Sequence, residues 1–236
     1  MSLRKIIKMF KKGNVCVTGL RGTGKDVLFG NVISRRKEPY ISNLDYGGNY
    51  YELDLKKLDI GSNYSEFITN SVHYYEFPYP LGTDVYISDV GVYFPSQYTN
   101  KLNNQYEGLV YYQALSRQVS HNNVHINVQN LNRAWDKIRE QSDMYIRCIW
   151  CKILFGIVFQ KVIVYDKYQS CLDRVGVCRV KKPNIFMSKN ARLERELYID
   201  KFENSYGKIK SMFLIYKHRS SHDTYYFEKL LKGGKK

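Results

Sequence analysis

Through the first two thirds of the chain, short apolar runs alternate with apolar residues at helical spacing. "NVCVT", from Asn14, is β-branched and predicts a strand. After a glycine-rich loop, "KDVLFGNVISRR" places Val27, Leu28, Phe29 and Val32 toward one helical face. "PYISNLDY" predicts a second strand with a turn, and the apolar run from Asp84 reads as another strand that ends in an acid, Asp89. "NNQYEGLVYYQALSRQVSHNN" has a helical pattern, with Leu109, Tyr112 and Leu115 or Ser116 on one side. "VHINVQN" is a further strand, and "NLNRAWDKIREQSD" carries Leu131, Trp135 and Ile138 at i, i+4 and i+7. Strands alternating with helices predict an α/β fold with a mostly parallel sheet flanked by helices, and a ligand site at the carboxyl ends of the strands.

After Asp143 the alternation stops. Residues 145–182 read as consecutive strands, a short helix is expected around Arg192 to Leu197, and the tail ends in cations. The most apolar stretch, "CIWCKILFGIVFQKVIVYD", is interrupted by Lys152, Gln160 and Lys161. A membrane-spanning helix needs about 20 nearly uncharged residues, so the stretch predicts two buried strands with a bend near Gly156. The organisation expected is a core over 1–147 and a smaller strand-rich extension with a basic tail over 148–236, either separate or part of one domain. Residues 52–80 give no clear pattern. The opening "MSLRKIIKMFKKGN" is a basic amphipathic helix without the unbroken apolar centre of an export signal. It is expected to pack on the domain and expose its lysines, with contact to a membrane surface or to DNA as the alternative.

Composition narrows the classes. With 236 residues and 44% hydrophobic content the chain can build a core, which argues against overall disorder. Lys and Arg outnumber Asp and Glu by 37 to 22, for a formal charge of +15, a balance that favours anionic partners such as DNA. The 5 cysteines point to a reducing compartment and free thiols. Cys148 and Cys151 have C-x-x-C spacing but lie in a strand-like run, and Cys171 and Cys178 are too far apart for a zinc knuckle, so no zinc is expected. His121 and His125 are read as structural.

The chemistry concentrates in "GLRGTGKD", Gly19 to Asp26. Gly19, four residues, Gly24 and Lys25 match the first part of a phosphate-binding loop, and Gly22 adds a permissive backbone position. Glycines let backbone N–H groups turn toward phosphates, the helix N-terminus adds positive potential, and the lysine reaches the terminal phosphates. The expected nucleotide contacts are Gly19, Leu20, Arg21, Gly22, Thr23, Gly24, Lys25, Asp26 and Val27, with ATP and Mg2+ as cofactors. Asp26 replaces the usual Ser or Thr. Its carboxylate can coordinate magnesium, or it can cap the helix and face away. Asp89 ends a strand where a second magnesium-holding acid is expected, but Val90 follows it where many ATPases have a water-activating Glu. Gln129 is a candidate γ-phosphate sensor, and Arg117 either an arginine finger across a subunit boundary or an exposed helical arginine.

In their order, "VTGLRGTGKD", "PYISNLDY", "ISDVGVYFP", "SRQVSHNNVHINVQNLNRAWDKIREQSDMY" and the late "HDTYY" resemble the zonula occludens toxin-like (Zot) family, the morphogenesis ATPases of filamentous phages within the FtsK/HerA-type P-loop NTPases. The resemblance covers residues 13–147, with a weaker echo near Tyr216 to Tyr226. It implies an ATP-dependent motor or assembly factor for phage DNA, single- or double-stranded, working as a homo-oligomer. It also implies a place in the host cytoplasm, at the inner membrane surface or with the virion, in contact with membrane or virion proteins. It assigns phosphate contact to Lys25, the magnesium acid to Asp89, the sensor role to Gln129 and a finger role to Arg117. The departures at Asp26 and Val90 weaken hydrolysis more than binding. A membrane span, frequent after the ATPase domain of that family, is not seen in the sequence, and a non-hydrolysing assembly protein is the competing expectation.

Overall fold

The computed structural model describes residues 3–54, 79–93, 110, 112–118, 120–129, 131, 134, 136–165 and 210–219. The elements are α1 (Leu3–Phe10), β1 (Val15–Thr18), α2 (Lys25–Ile33), β2 (Tyr40–Ser42), β3 (Tyr50–Glu52), β4 (Val85–Ile87), α3 (Val90–Tyr93), α4 (112–118), β5 (Val124–Val128), α5 (Asp136–Glu140), β6 (Met144–Leu154), β7 (Ile157–Tyr165) and β8 (Lys210–Lys217). The strands form one sheet in the order β3-β2-β4-β5-β1-β6-β7-β8. From β3 to β6 every pairing is parallel, and β6-β7 and β7-β8 are antiparallel. This is the mostly parallel α/β sheet that the alternating pattern predicts.

β1 runs between β5 and β6, and all four of its residues are buried, as a central parallel strand requires. One face of the sheet packs on α1 and α2, bringing Leu3, Ile6, Phe10, Leu28, Phe29 and Val32 against Val15, Val17 and Ile146. The other face packs Val110, Tyr112, Leu131, Ala134 and Ile138 against Cys16, Ile126 and Val128. α1 keeps Arg4, Lys5 and Lys8 exposed. α2 is buried beyond the single face expected: Gly30, Asn31 and Ile33 join Leu28, Phe29 and Val32. The backbone N–H of Arg219, two residues past the end of β8, donates to Asn31 Oδ1 at 2.9 Å, so a polar position is satisfied from a segment far away in sequence.

The 147/148 boundary expected from the sequence falls inside β6. β6 pairs with β1 at its start and with β7 along its length, so the described strands of the extension continue the core sheet. The bend near Gly156 is a hairpin turn. α5 is shorter than the pattern in "NLNRAWDKIREQSD" predicts, although Leu131 and Ile138 are both buried. Residues 55–78 of the segment without a clear pattern, the helix expected at Arg192 to Leu197, Cys171, Cys178 and "HDTYY" lie outside the described residues. Among the described residues Cys16, Cys148 and Cys151 form no disulfide with one another.

At the amino ends of β4 and β5, Asp84 is held by the Arg36 guanidinium and by the Asn123 N–H at 2.8 Å, and His125 Nε2 lies 3.7 Å from it. Arg36 also donates to Tyr86 Oη at 2.6 Å. Burial alone would raise the Asp84 pKa, but the facing His125, Arg36 and the Asn123 N–H hold it down at about 2. Burial lowers the pKa of His125, whose Nδ1 accepts the Val15 N–H at 3.3 Å. Both groups bind protons more readily when the chain unfolds, so both cost stability as pH falls. The thermal midpoint is expected to decline below pH about 6.5, where unfolded His125 begins to protonate, and again from about 3.8 toward 2 through Asp84. Asp84→Asn, which strands Arg36, is expected to cost about 3 to 5 kcal/mol in urea denaturation and to remove the lower step; an unchanged acid limb would contradict this assignment.

Candidate functional site

The loop after β1 turns sharply three times on glycine. Gly19, Gly22 and Gly24 have φ of 152°, 84° and 82°. At Gly24 the constraint is double, because a Cβ would also lie 2.2 Å from Cys151 Cβ on β6. Thr23 Oγ1 donates to Leu20 O at 2.7 Å and pins the loop to itself, and Leu28 N donates to Gly24 O at 2.9 Å to start α2. Gln160, on β7 and fully buried, donates from Nε2 to Gly24 O at 2.7 Å. Tyr216 of β8 donates to Gln160 Oε1 at 2.7 Å, which fixes which end of the amide faces the loop. The strands beyond residue 147 therefore brace the back of the glycine loop.

Lys25, the first residue of α2, is only 4% exposed, and its ammonium has two acids beside it. Nζ lies 2.7 Å from Asp26 Oδ2 and 3.3 Å from Asp89 Oδ1. Burial works to lower its pKa, but the two carboxylates outweigh burial and keep it raised, so the lysine is cationic at any physiological pH. Asp89 follows β4, and β5 separates β4 from β1, so its carboxylate reaches Lys25 past the end of an intervening strand. Asn43 returns both bonds of its amide to the backbone of Ser88, at 2.8 and 3.0 Å, and the Tyr46 hydroxyl bonds the Ser88 hydroxyl. Asp89 itself has φ 51°, a left-handed conformation that Asp tolerates better than most residues, and this turns the chain into α3.

Asp26 faces the site. Its carboxylate accepts from Lys25 and, at 2.7 Å, from Asn127 Nδ2 of β5, and among the described residues no side chain caps the N-terminus of α2. Asn127 is fully buried and its Oδ1 has no hydrogen-bond partner among the described residues, so an acceptor lies unused beside the acids. Gln129 sits two residues further on, exposed beyond the end of β5. Arg117 lies at the opposite, amino ends of the strands, donating to Asp143 Oδ2 at 2.6 Å and to Lys12 O at 3.2 Å. Val90 is fully buried in the core on the far face of the sheet. Leu20, Arg21 and Val27 lie on the loop and first turn, partly or fully exposed.

The motif reading missed Asn127, Gln160, Asn43 and Tyr46. Two of them carried a signal: a lone amide inside a mostly apolar strand, as in "VHINV" and "GIVFQKV", must find a partner when buried. Among the described residues no group of three or more His, Cys, Asp or Glu is placed to hold a metal. Two acids beside a phosphate loop suit magnesium, which takes one or two carboxylates and fills its other positions with phosphate oxygens and water.

No protein-family model matches the sequence, and no curated protein matches it. Among solved structures, the fold is similar to the N-terminal domain of zonular occludens toxin from Neisseria meningitidis, at 12% identity and a TM-score of 0.41, over 66% of this chain and 84% of that one. It is similar to the genome packaging NTPase B204 from Sulfolobus turreted icosahedral virus 2 in complex with ATP-gammaS, at 13% identity and 0.38, over 65% and 92%. A third likeness, to EssC (ATPases 2 and 3) from Geobacillus thermodenitrificans, has 12% identity and 0.40, over 94% of this chain and 43% of that one. All three TM-scores are below 0.5, so the reading of the site rests on its own geometry.

Gln160→Leu leaves the Gly24 carbonyl facing an apolar side chain. It is expected to lower stability by about 1 to 3 kcal/mol in urea denaturation, and Tyr216→Phe by less, about 1 kcal/mol; equal and negligible effects would show that the loop does not depend on this brace.

Proposed function

We propose that this chain binds a magnesium-nucleoside triphosphate, ATP in the first instance, and acts as an ATPase in moving DNA or assembling a virion. The observation that carries the nucleotide part is the convergence of a strand–glycine loop–helix with a buried, permanently charged Lys25 and two partly exposed acids at the carboxyl ends of parallel strands. Loop N–H groups and Lys25 would take the phosphates. Asp26 and Asp89 would hold magnesium directly or through water, and the metal would neutralise phosphate charge. Lys25 then exchanges its carboxylate partners for phosphate oxygens, and the acids keep a cation beside them throughout. Asn127 positions Asp26 through its Nδ2, and its Oδ1 is oriented to accept from a bound water or amide.

The DNA and virion part rests on the +15 charge and on the order of the motifs that resemble the Zot family. Turnover requires a base or charge-stabilising group in addition to these residues, and a second copy of the chain is the natural source. A second reading, nucleotide binding without turnover, is favoured by one observation: the position after Asp89 is a core valine, so no acid can stand there without burying its charge.

Titration with a fluorescent ATP analogue is expected to show magnesium-dependent binding that weakens by more than roughly tenfold in Lys25→Ala and in Asp26→Ala, each of which loses a charge-assisted contact. Tighter binding by Asp26→Ala would mark the carboxylate as repulsive. ATP hydrolysis measured with and without single-stranded DNA, over a range of protein concentrations, separates motor from binder: DNA-stimulated, concentration-dependent turnover that is lost in Asp89→Ala supports the motor, and binding without turnover sinks it. Val90→Glu is expected to lower stability by roughly 3 kcal/mol or more and to confer no hydrolysis.

A further inference from the structure

The β6-β7 hairpin ends in an apex that folding alone does not explain. Phe155 and Gly156 connect the strands, and both have positive φ, 50° and 72°. A two-residue turn of this hand calls for Asn, Asp or Gly first, because a side chain in the left-handed region is strained. Phe155 is instead a bulky aromatic, and at 102% relative exposure it gives the core nothing in return.

Its neighbours are apolar on both faces of the ribbon. Ile153 pairs with Val158 on one face, Leu154 pairs with Ile157 on the other, and Ile153, Leu154 and Ile157 are 42–43% exposed. Cations flank the tip: Lys152, one pair behind Ile153, faces Phe159, and Lys217 of β8 faces Ile157. Arg219, exposed, lies just past His218, whose N–H donates to Gly156 O at 2.7 Å. The apolar zone continues along the outer face of β8 through Phe213 and Ile215.

We propose that this hairpin tip inserts into the interface of an anionic lipid bilayer. The tip exposes apolar side chains at its end and on both faces, Phe155 at the turn, Ile153 on one face and Leu154 and Ile157 on the other, which fits a medium that surrounds it better than a partner that covers one face. The dimensions agree: at about 3.3 Å per residue, Phe155 reaches roughly 7 Å beyond Ile153, within the 5–10 Å to which interfacial segments bury their apolar side chains. Lys152, behind the apolar residues, then lies near the lipid phosphates, and Lys217, level with Ile157, reaches them with its long side chain, so that each adds attraction to an anionic surface. The inference is independent of the nucleotide reading.

Phe155→Asn is the decisive variant, because Asn-Gly suits the turn better than Phe-Gly and the fold is retained. Co-sedimentation of the purified chain with vesicles of phosphatidylcholine and phosphatidylglycerol is expected to show salt-sensitive binding that falls at least tenfold in Phe155→Asn and in the Lys152→Glu/Lys217→Glu pair. Vesicles of phosphatidylcholine alone should bind weakly. Phe155→Trp should shift its emission to the blue and be quenched by brominated lipid when anionic vesicles are added. Unquenched emission, or wild-type vesicle binding by Phe155→Asn, overturns the proposal. So does loss in Phe155→Asn of self-association in the ultracentrifuge, or of single-stranded oligonucleotide binding, while vesicle binding persists: the tip would then belong to a second copy or to nucleic acid.

Discussion

A buried ammonium must be compensated, and in this chain the compensation of Lys25 organises everything around it. Its two acids come from different places, one from the next residue and one from a strand two positions away in the sheet. Bringing Asp89 to Lys25 requires β4, β5 and β1 to stop at nearly the same level, and requires the chain at Ser88 to be held by Asn43 and Tyr46. The site is thus a property of how the parallel sheet ends, with α2 as only one wall.

The same charge arrangement gives Asp26 its meaning. As a replacement for a hydroxyl it looks like damage to a phosphate loop, since it adds negative charge where polyphosphate is expected. In the fold it shares one cation with Asp89 and takes a hydrogen bond from Asn127, so the carboxylate is already compensated on two sides. Binding needs a metal or an ammonium between acid and phosphate, and both roles have a residue or an obvious ion. Hydrolysis needs one group more, and the core has taken the position where it is usually found.

The strands beyond residue 147 have two tasks at their two ends. Near the core, β7 and β8 carry Gln160 and Tyr216 to the back of the glycine loop, which makes the extension part of the site. Farther out, the β6-β7 ribbon runs past the loop and ends in the exposed apolar turn at Phe155. Continuous pairing along the ribbon links one end to the other, so whatever holds the tip also orients the proposed nucleotide site.

Much was legible in the sequence. The glycine spacing with Lys25, the β-branched run before it, the acid ending a strand at Asp89 and the alternation of strands and helices are local patterns, and local backbone preferences and burial periodicity are sufficient to produce them. Strand order is not local. That β5 lies between β4 and β1, that β6 crosses the domain boundary expected at 147/148, and that Asn127 rather than Gln129 meets Asp26 depend on which strands pair and where each one ends. The direction of the Asp26 carboxylate was decided the same way. Its sequence neighbours allow it to cap or to coordinate, and Asn127, which the tertiary fold brings from β5, holds it inward together with the adjacent Lys25, because a buried ammonium and an amide N–H both draw a carboxylate.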